Sequence, residues 1–370
     1  MSEKRIIISG GGTGGHIFPA ISIANGLRKL EPDCEILFVG ALGKMEMEKI
    51  PSAGYKIVGL PVAGLKRELS YENLKLPFKV IKSLTLAARI IDDFDPDVAV
   101  GVGGYASGPL LWMASRREIP ILIQEQNSFA GITNRILGRK AQKICVAYEG
   151  MEKFFKPEKL ILTGNPVRDE IKAATPELRI EAVNFFELDP SKKTILIVGG
   201  SLGAGTLNEC AKGWIRSNKD EDIQLIWQYG SFYKKGIQDF LHFNVRPDVK
   251  AFEFIKKMDL AFAAADVVIT RAGAGTISEL SIAGKACIFV PSPNVTEDHQ
   301  THNALALVRK NAAFMIPDDV AEEEAFPAAV SLAKDSIKRE MLEKNISEMA
   351  LRDSADIIAK EVLKLIKERK

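Results

Sequence analysis

The 370-residue chain is short of the features that mark secreted, membrane-spanning or metal-dependent proteins. Its four cysteines, Cys34, Cys145, Cys210 and Cys287, are scattered without metal-ligand spacing, which excludes a disulfide scaffold and a cysteine-based zinc site. Three of them sit in or beside apolar stretches, so buried free thiols in a reducing compartment are expected. Histidine is as scarce, and no cysteine or third histidine stands with His299 and His302 to support a metal site. Formal net charge is only +2, which gives no overall basic field for nucleic acid. No apolar run approaches the roughly 18 residues of a membrane span. The opening Met1-Ser2-Glu3-Lys4-Arg5 enters a strand without the apolar core of a signal peptide, so a cytoplasmic protein is expected. Low-complexity segments are absent.

What the chain does have is glycine, placed twice at the same kind of position. Gly10-Gly11-Gly12-Thr13-Gly14-Gly15-His16 follows the apolar run Ile6-Ile7-Ile8, and Gly199-Gly200-Ser201-Leu202-Gly203-Ala204 follows Ile195-Leu196-Ile197-Val198. Each joins an expected buried strand to an expected helix, a turn that aims backbone N–H groups and a positive helix end at one point and suits a phosphate. Further apolar runs predict strands at Glu35–Val39, Lys56–Leu60, Val98–Val102, Ile121–Gln124, Lys143–Val146 and Leu160–Leu162. In the second half they predict strands at 224–228, 249–252, 267–270 and 286–290, with helices between and amphipathic helices from Ala321 onward. Near-continuous apolar strands alternating with helices mean a doubly wound, parallel-sheet α/β architecture, formed twice. The Gly164-Asn165-Pro166 break marks the boundary, giving domains 1–163 and 164–351.

Gly10, Gly12 and Gly15 also fit the dinucleotide fingerprint. The second strand, however, closes with Phe38-Val39-Gly40-Ala41-Leu42 and carries no carboxylate for a ribose, which argues against a nicotinamide dehydrogenase. His16 opens a helix expected over Ile17–Lys29, with Pro19 in its first turn. The positive helix end disfavours imidazolium, so His16 is either a neutral acid/base group or a cap of its own loop. Gly101 to Pro109 forms another backbone-exposing turn. Gln124-Glu125-Gln126-Asn127 ends the next strand and either faces a ligand or is a solvated loop; Glu125 is its one carboxylate and a second acid/base candidate. Asn134 and Arg135 start a short helix beyond it. Arg168 could fork onto a diphosphate or pair with Asp169 or Glu170. Arg271-Ala272-Gly273-Ala274-Gly275-Thr276-Ile277-Ser278-Glu279 is a third loop-then-helix anion site, where Glu279 could hold both ribose hydroxyls or merely complement the helix dipole.

Between Gly64 and Arg89 the cations Lys66, Arg67, Lys75, Lys79, Lys82 and Arg89 outnumber Glu68 and Glu72, a net +4, and are interleaved with Leu74, Leu76, Phe78, Val80, Ile81, Leu84 and Leu86. A basic amphipathic helix of this kind can lie on an anionic membrane at roughly 1 kcal/mol per cation. It could equally be a crossover helix with solvated lysines.

Taken in order over about 300 residues, these motifs resemble the MurG family, the peripheral membrane N-acetylglucosaminyltransferases of peptidoglycan synthesis in glycosyltransferase family 28. The matching stretches are Gly11 to His16 with Phe18-Pro19, Gly103-Gly104-Tyr105 with Ser107-Gly108, Glu125-Gln126-Asn127 and Gly164 to Arg168. The series continues with Gly199-Gly200-Ser201 and Gly203-Ala204, Arg271 to Glu279, and Asp298-His299-Gln300 with Asn303-Ala304. The resemblance implies the GT-B fold, two Rossmann-like domains facing across a cleft, with the last helix, about 352–370, returning to the first. It implies inverting transfer of GlcNAc from UDP-GlcNAc to the 4-hydroxyl of the muramyl residue of lipid I, giving lipid II and UDP, without a catalytic metal or cofactor. By motif, Arg168 and Ser201 would approach the diphosphate, Ile255 the uracil, Glu279 the ribose and Gln300 the sugar. The loop of Gly273, Ala274, Gly275, Thr276, Ile277 and Ser278 would lie against phosphates and GlcNAc. Thr13, Gly14, Gly15 and Asn127 would close from the N-terminal side. His16 or Glu125 would act as the base, with Tyr105 and Asn134 on the acceptor side. The 64–89 stretch and Arg139-Lys140 would meet an anionic membrane at the cytoplasmic face of the inner membrane. Other cell-wall synthesis proteins are implied partners, and cell shape, cell division and the cell cycle the processes served.

The chain departs from the family pattern at Gln124 (often His), Leu202 (usually Gln) and Gly275 (often bulkier). Two rivals share parts of the pattern. A UDP-GlcNAc 2-epimerase-like enzyme has no use for the 64–89 stretch, and a non-catalytic UDP-sugar sensor has none for His16 with Glu125.

Overall fold

The computed structural model describes residues 3–62, 76–168, 170–217 and 222–369, without the side chains of 76–79 and 296. Much of the basic stretch (Lys66, Arg67, Glu68, Glu72, Leu74 and Lys75, and the side chains of Leu76, Phe78 and Lys79) lies outside the described residues, as does Asp169. The chain divides into two compact units, Met1–Val167 with Leu351–Lys370, and Arg168–Ala350.

In the first unit seven parallel strands, β1 (Arg5–Gly10), β2 (Glu35–Ala41), β3 (Lys56–Leu60), β4 (Val98–Gly103), β5 (Ile121–Glu125), β6 (Lys143–Val146) and β7 (Leu160–Leu162), lie in the order β3-β2-β1-β4-β5-β6-β7. One face is covered by α1 (Gly14–Leu30), beside the short α2 (Glu46–Ser52); the other carries α3 (Leu76–Phe94), α4 (Ser107–Arg116) and α5 (Ile132–Gly138). Ile6 and Ile8 point to the first face and Ile7 to the second, and all three are fully buried. That explains why the strand reads as a continuous apolar run rather than an alternation. The order turns between β1 and β4, whose helices leave to opposite faces, so a crevice opens at their carboxyl ends.

The second unit has six parallel strands, β8 (Lys193–Val198), β9 (Ile223–Gln228), β10 (Val249–Phe252), β11 (Val267–Thr270), β12 (Cys287–Phe289) and β13 (Phe314–Met315), in the order β10-β9-β8-β11-β12-β13. Its helices are α6 (Pro176–Phe185), α7 (Gly205–Ser217), α8 (Lys234–Phe243), α9 (Met258–Ala264), α10 (Ala274–Ala283), α11 (His299–Val308), α12 (Ala321–Lys334) and α13 (Ser336–Glu348). The turn in strand order falls between β8 and β11. The last helix, α14 (Ser354–Arg369), belongs to the first unit and packs along α1. Gly26 allows this: a Cβ there would stand 3.0 Å from the Ala355 carbonyl oxygen. All four cysteines are buried and free. No helix among the described residues is long and apolar enough to cross a membrane.

Three expectations need correction. Helix α1 begins at Gly14, not Ile17, so His16 lies within its first turn and Pro19 inside the helix, where it has no N–H for the Gly15 carbonyl. Helix α10 begins at Ala274, which moves Glu279 past the first turn and removes a helix-dipole role for it. Strand β13 was not foreseen, because two residues carry no period.

Candidate functional site

In the first unit the chain leaves β1 through Gly10-Gly11-Gly12, with Gly12 at φ +87°, a left-handed conformation that glycine adopts without strain. Thr13 is the N-cap of α1, yet its hydroxyl caps nothing; its Oγ1 lies 3.3 Å from His16 Nδ1. The same ring nitrogen is 3.1 Å from the Gly11 carbonyl oxygen. A carbonyl only accepts, so Nδ1 carries a proton, and in the neutral form of the ring Nε2 is the basic nitrogen. Gly103 and Gly104 pack against this group: a Cβ on Gly103 would stand 2.8 Å from His16 Nε2, and one on Gly104 2.3 Å from the Gly11 oxygen. Ser107 fixes that turn by donating to the Ser9 and Gly103 carbonyls at 3.0 and 2.9 Å.

Sequence reasoning missed the carboxylate beneath the loop. Glu46, on α2, is fully buried and accepts from the Gly12 N–H and the Ala41 N–H, each at 2.9 Å. The signal available was its spacing: it stands four residues before buried Ile50, on the inward face of α2.

The end of β5 is not a solvated loop. Gln124, Glu125 and Gln126 are all buried. Gln124 donates to Asn165 Oδ1 at 2.9 Å, and Asn165 donates to the Gln126 carbonyl at 3.0 Å, so this glutamine ties the Gly-Asn-Pro segment to the sheet. Glu125 accepts from the Asn127 N–H, the Gly131 N–H and Asn134 Nδ2 at 3.0, 3.1 and 2.8 Å. Burial pushes its carboxyl above the usual carboxylate range, against the pull of these donors. Both oxygens hold the 125–134 loop in shape. Asn134, expected on the acceptor side, is itself buried and supports Glu125. Asn127 is partly exposed, and Tyr105 is exposed. Tyr105 lines an apolar hollow of about 340 Å³ with Val80, Trp112 and Ile136 from three helices. Arg139 and Lys140 are exposed just beyond α5.

In the second unit Gly199 to Ala204 turns into α7. Its backbone crosses the Gly230 turn so closely that a Cβ on Gly230 would stand 2.0 Å from the Gly203 nitrogen. Gln228, also missed, joins the donor-side loops: it donates to the Gly200 carbonyl at 2.9 Å and accepts the Ile255 N–H at 2.8 Å. Ile255 is buried with its N–H committed to Gln228, so any contact to a base is made without that N–H. Ser201 and Leu202 are exposed at the loop. Gly273 caps α10, with Ala274, Gly275, Thr276, Ile277 and Ser278 in its first turns. Gln300 accepts the Ser292 N–H at 2.9 Å at the start of α11. Arg271 is held by the Val290 carbonyl and Asp318. Arg168 and Glu279, expected on diphosphate and ribose, meet each other in a two-pronged pair: Nε to Oε1 at 2.8 Å and Nη2 to Oε2 at 2.9 Å.

Comparison with known proteins places the whole. Residues 6–146 match the glycosyltransferase family 28 N-terminal domain, and residues 194–360 the glycosyltransferase family 28 C-terminal domain. The chain is 55% identical over 366 residues to a protein of Parabacteroides distasonis, covering 99% of each; that relative is named UDP-N-acetylglucosamine–N-acetylmuramyl-(pentapeptide) pyrophosphoryl-undecaprenol N-acetylglucosamine transferase. The chain belongs to glycosyltransferase family 28. A relative of the same name in Flavobacterium psychrophilum is 48% identical, over 100% of both chains. Among solved structures, Acinetobacter baumannii MurG superposes with a TM-score of 0.78 at 27% identity, covering 98% of this chain and 99% of that one. A UDP-N-acetylglucosamine 2-epimerase shares the fold alone, with a TM-score of 0.64 at 15% identity. The two parallel-sheet units are thus the GT-B fold of a family 28 glycosyltransferase.

Proposed function

We propose that the protein moves GlcNAc from UDP-GlcNAc to the 4-hydroxyl of the muramyl residue of lipid I, giving lipid II and UDP. The observation that carries the mechanism is the Nδ1–Gly11 carbonyl contact, which leaves Nε2 of His16 as a base. His16 takes the proton of the acceptor hydroxyl. The freed oxygen attacks the anomeric carbon as its bond to UDP breaks, and one such displacement inverts the centre. The second unit holds the donor. Gly200, Ser201 and the N-terminal turn of α10 receive the diphosphate, with Arg168 supplying positive charge to the leaving group. Glu279 receives the ribose hydroxyls and Gln300 the sugar. Thr13, Gly14, Gly15 and Asn127 serve the sugar. Charge stabilisation by these groups needs no catalytic metal. Glu125 becomes a positioning residue, since both its oxygens are taken by its own loop.

The acceptor's lipid is met by the hollow at Tyr105, Trp112 and Ile136, with Arg139 and Lys140 beside it facing anionic headgroups. We place the protein on the cytoplasmic face of the inner membrane, in peptidoglycan synthesis and so in cell shape and division.

The test is UDP release from UDP-GlcNAc with a lipid I analogue. His16→Ala should lower turnover by about 10²–10⁴-fold, the usual contribution of a positioned base, with UDP-GlcNAc affinity within about twofold of wild type. An unchanged turnover number removes His16 from the chemistry, and no release at all sinks the transferase.

A further inference from the structure

One peptide group stands between a buried carboxylate and the proposed base. Its N–H, of Gly12, donates to Glu46 Oε2 at 2.9 Å. Its C=O, of Gly11, accepts from His16 Nδ1 at 3.1 Å. A peptide is planar and stiff, so a group that fixes its N–H end also fixes the direction of its carbonyl. It is also polarisable: a carboxylate on the N–H strengthens the carbonyl as an acceptor.

The packing shows that Glu46 is built into the loop rather than resting near it. A Cβ on Gly11 would stand 2.2 Å from Glu46 Oε1, and one on Gly40 2.6 Å from Glu46 Cγ. The side chain occupies a slot that exists because both positions are glycine. Its second oxygen accepts the Ala41 N–H at 2.9 Å, which anchors the carboxylate to the end of β2. From the other side Gly104 abuts the same Gly11 carbonyl. The peptide is therefore held at both ends, and the imidazole reads its orientation.

We propose that Glu46 is a positioning residue for transfer: acting through the Gly11–Gly12 peptide, it holds His16 in the Nδ1–H tautomer and so keeps Nε2 basic toward the acceptor hydroxyl. The proposal rests on His16 as the base. It gives Glu46 the part that an orienting carboxylate plays beside a catalytic histidine, but one peptide removed.

The experiment uses the full-length protein with ¹⁵N-labelled histidine. The chain has four histidines, so the ring signals are few, and His16→Gln assigns the one in question. Wild type should show His16 protonated at Nδ1. Glu46→Gln keeps the shape but turns one backbone-facing acceptor into a donor, and should shift the ring to a mixture of tautomers. Turnover should fall roughly ten- to a hundredfold, with the KM for UDP-GlcNAc within about twofold. In a His16→Gln background Glu46→Gln should cost nothing further. An unchanged His16 ring signal, or an equal loss in the His16→Gln background, overturns the proposal. If Glu46→Gln does not fold, Gly11→Ala displaces the carboxylate while keeping it, and should produce the same tautomer shift; an unshifted ring there overturns the proposal as well. Should His16→Gln turn over like wild type, His16 as the base falls, while the ring signal still reports whether Glu46 orients it.

Discussion

Glu279→Gln separates two roles that the Arg168–Glu279 pair could play. A carboxylate has about four lone-pair sites, and the Arg168 fork occupies two of them, at 2.8 and 2.9 Å. Ribose hydroxyls can be accepted at the remaining two without breaking the pair. The arginine likewise keeps donors for a phosphate. The pair then pre-orients both groups, and donor binding need not dissolve it. Losing a charged acceptor for a ribose hydroxyl costs about 2 kcal/mol, or roughly thirtyfold in the dissociation constant for UDP. The assay is calorimetric titration with UDP and with 2′-deoxy-UDP. Wild type should prefer UDP by about that factor, and Glu279→Gln should lose most of the preference, because the charged acceptor that read the hydroxyl becomes a neutral amide. If the variant discriminates between the two ligands as wild type does, Glu279 does not hold the ribose, and its work is confined to Arg168. Stability supplies the control. The side chains are 35% and 15% exposed, between a solvated and a buried pair, so disrupting them should cost about 1–2 kcal/mol. In a unit of this size that is a Tm loss of roughly 3–6 °C. Arg168→Ala should show the same loss, and should weaken UDP more than uridine because it removes the diphosphate's cation.

Gly230→Ala places a Cβ 2.0 Å from the Gly203 nitrogen at φ +82°; it should destabilise the second unit and weaken UDP binding together, and urea unfolding with UDP titration checks both. Lys285 is buried, with Nζ donating to the Ala265 carbonyl at 3.0 Å, and burial lowers its pKa from 10.5 to about 8, with Glu343, Arg179, Asp266 and Arg339 around it. Between about 8 and 10.5 the unfolded chain therefore binds the extra proton, so stability rises with pH across that window, and below it the full cost of burying the ammonium is present. Lys285→Met should abolish that rise and gain about 1–2 kcal/mol at pH 7 after its lost hydrogen bonds are discounted; a variant whose urea midpoint climbs from pH 8 to 10 like wild type would contradict it. Ile136→Asp, at an exposed wall of the apolar hollow, should weaken co-sedimentation with anionic vesicles by about tenfold, and unchanged binding would remove the hollow from the membrane contact.

The frame of both units was legible because buried parallel strands are written as unbroken apolar runs. Ile6-Ile7-Ile8 and Ile195-Leu196-Ile197 need no partner in sequence to be recognised, since each is covered on both faces. Helix starts were less legible. Gly14 and Gly15 have low helix propensity, and tertiary packing of α1 on the sheet overrides it. The buried polar groups were the least legible. Glu46 reaches a backbone N–H 34 residues away, Gln124 an amide 41 away and Gln228 a carbonyl 28 away. Partners at such separations leave no periodicity in the sequence. A glutamate in Lys44-Met45-Glu46-Met47-Glu48-Lys49 reads as part of a charged surface helix until the fold brings Gly12 and Ala41 to it. The same holds for Gln124-Glu125-Gln126, whose polarity suggested ligand and whose contacts are with the protein.

The two glycine turns read alike in sequence and differ in charge. Under the first, the buried Glu46 carboxylate already takes the Gly12 N–H. A diphosphate brought to that loop would face both a donor already engaged and a like charge; two unit charges roughly 6 Å apart repel by about 3 kcal/mol at an effective dielectric near 20. Under the second, the anchoring group is the neutral amide of Gln228, which donates to the Gly200 carbonyl. That contact removes an acceptor from the loop and adds no charge. Arg168 stands in the same unit, paired with Glu279 and with Glu170 and Asp259 also acting on its charge. The electrostatics therefore favour the second glycine turn for the anion in the proposed reaction and leave the first to a neutral task, orienting an imidazole. A glycine motif specifies a backbone path; what the path can bind is decided by the side chain folded beneath it.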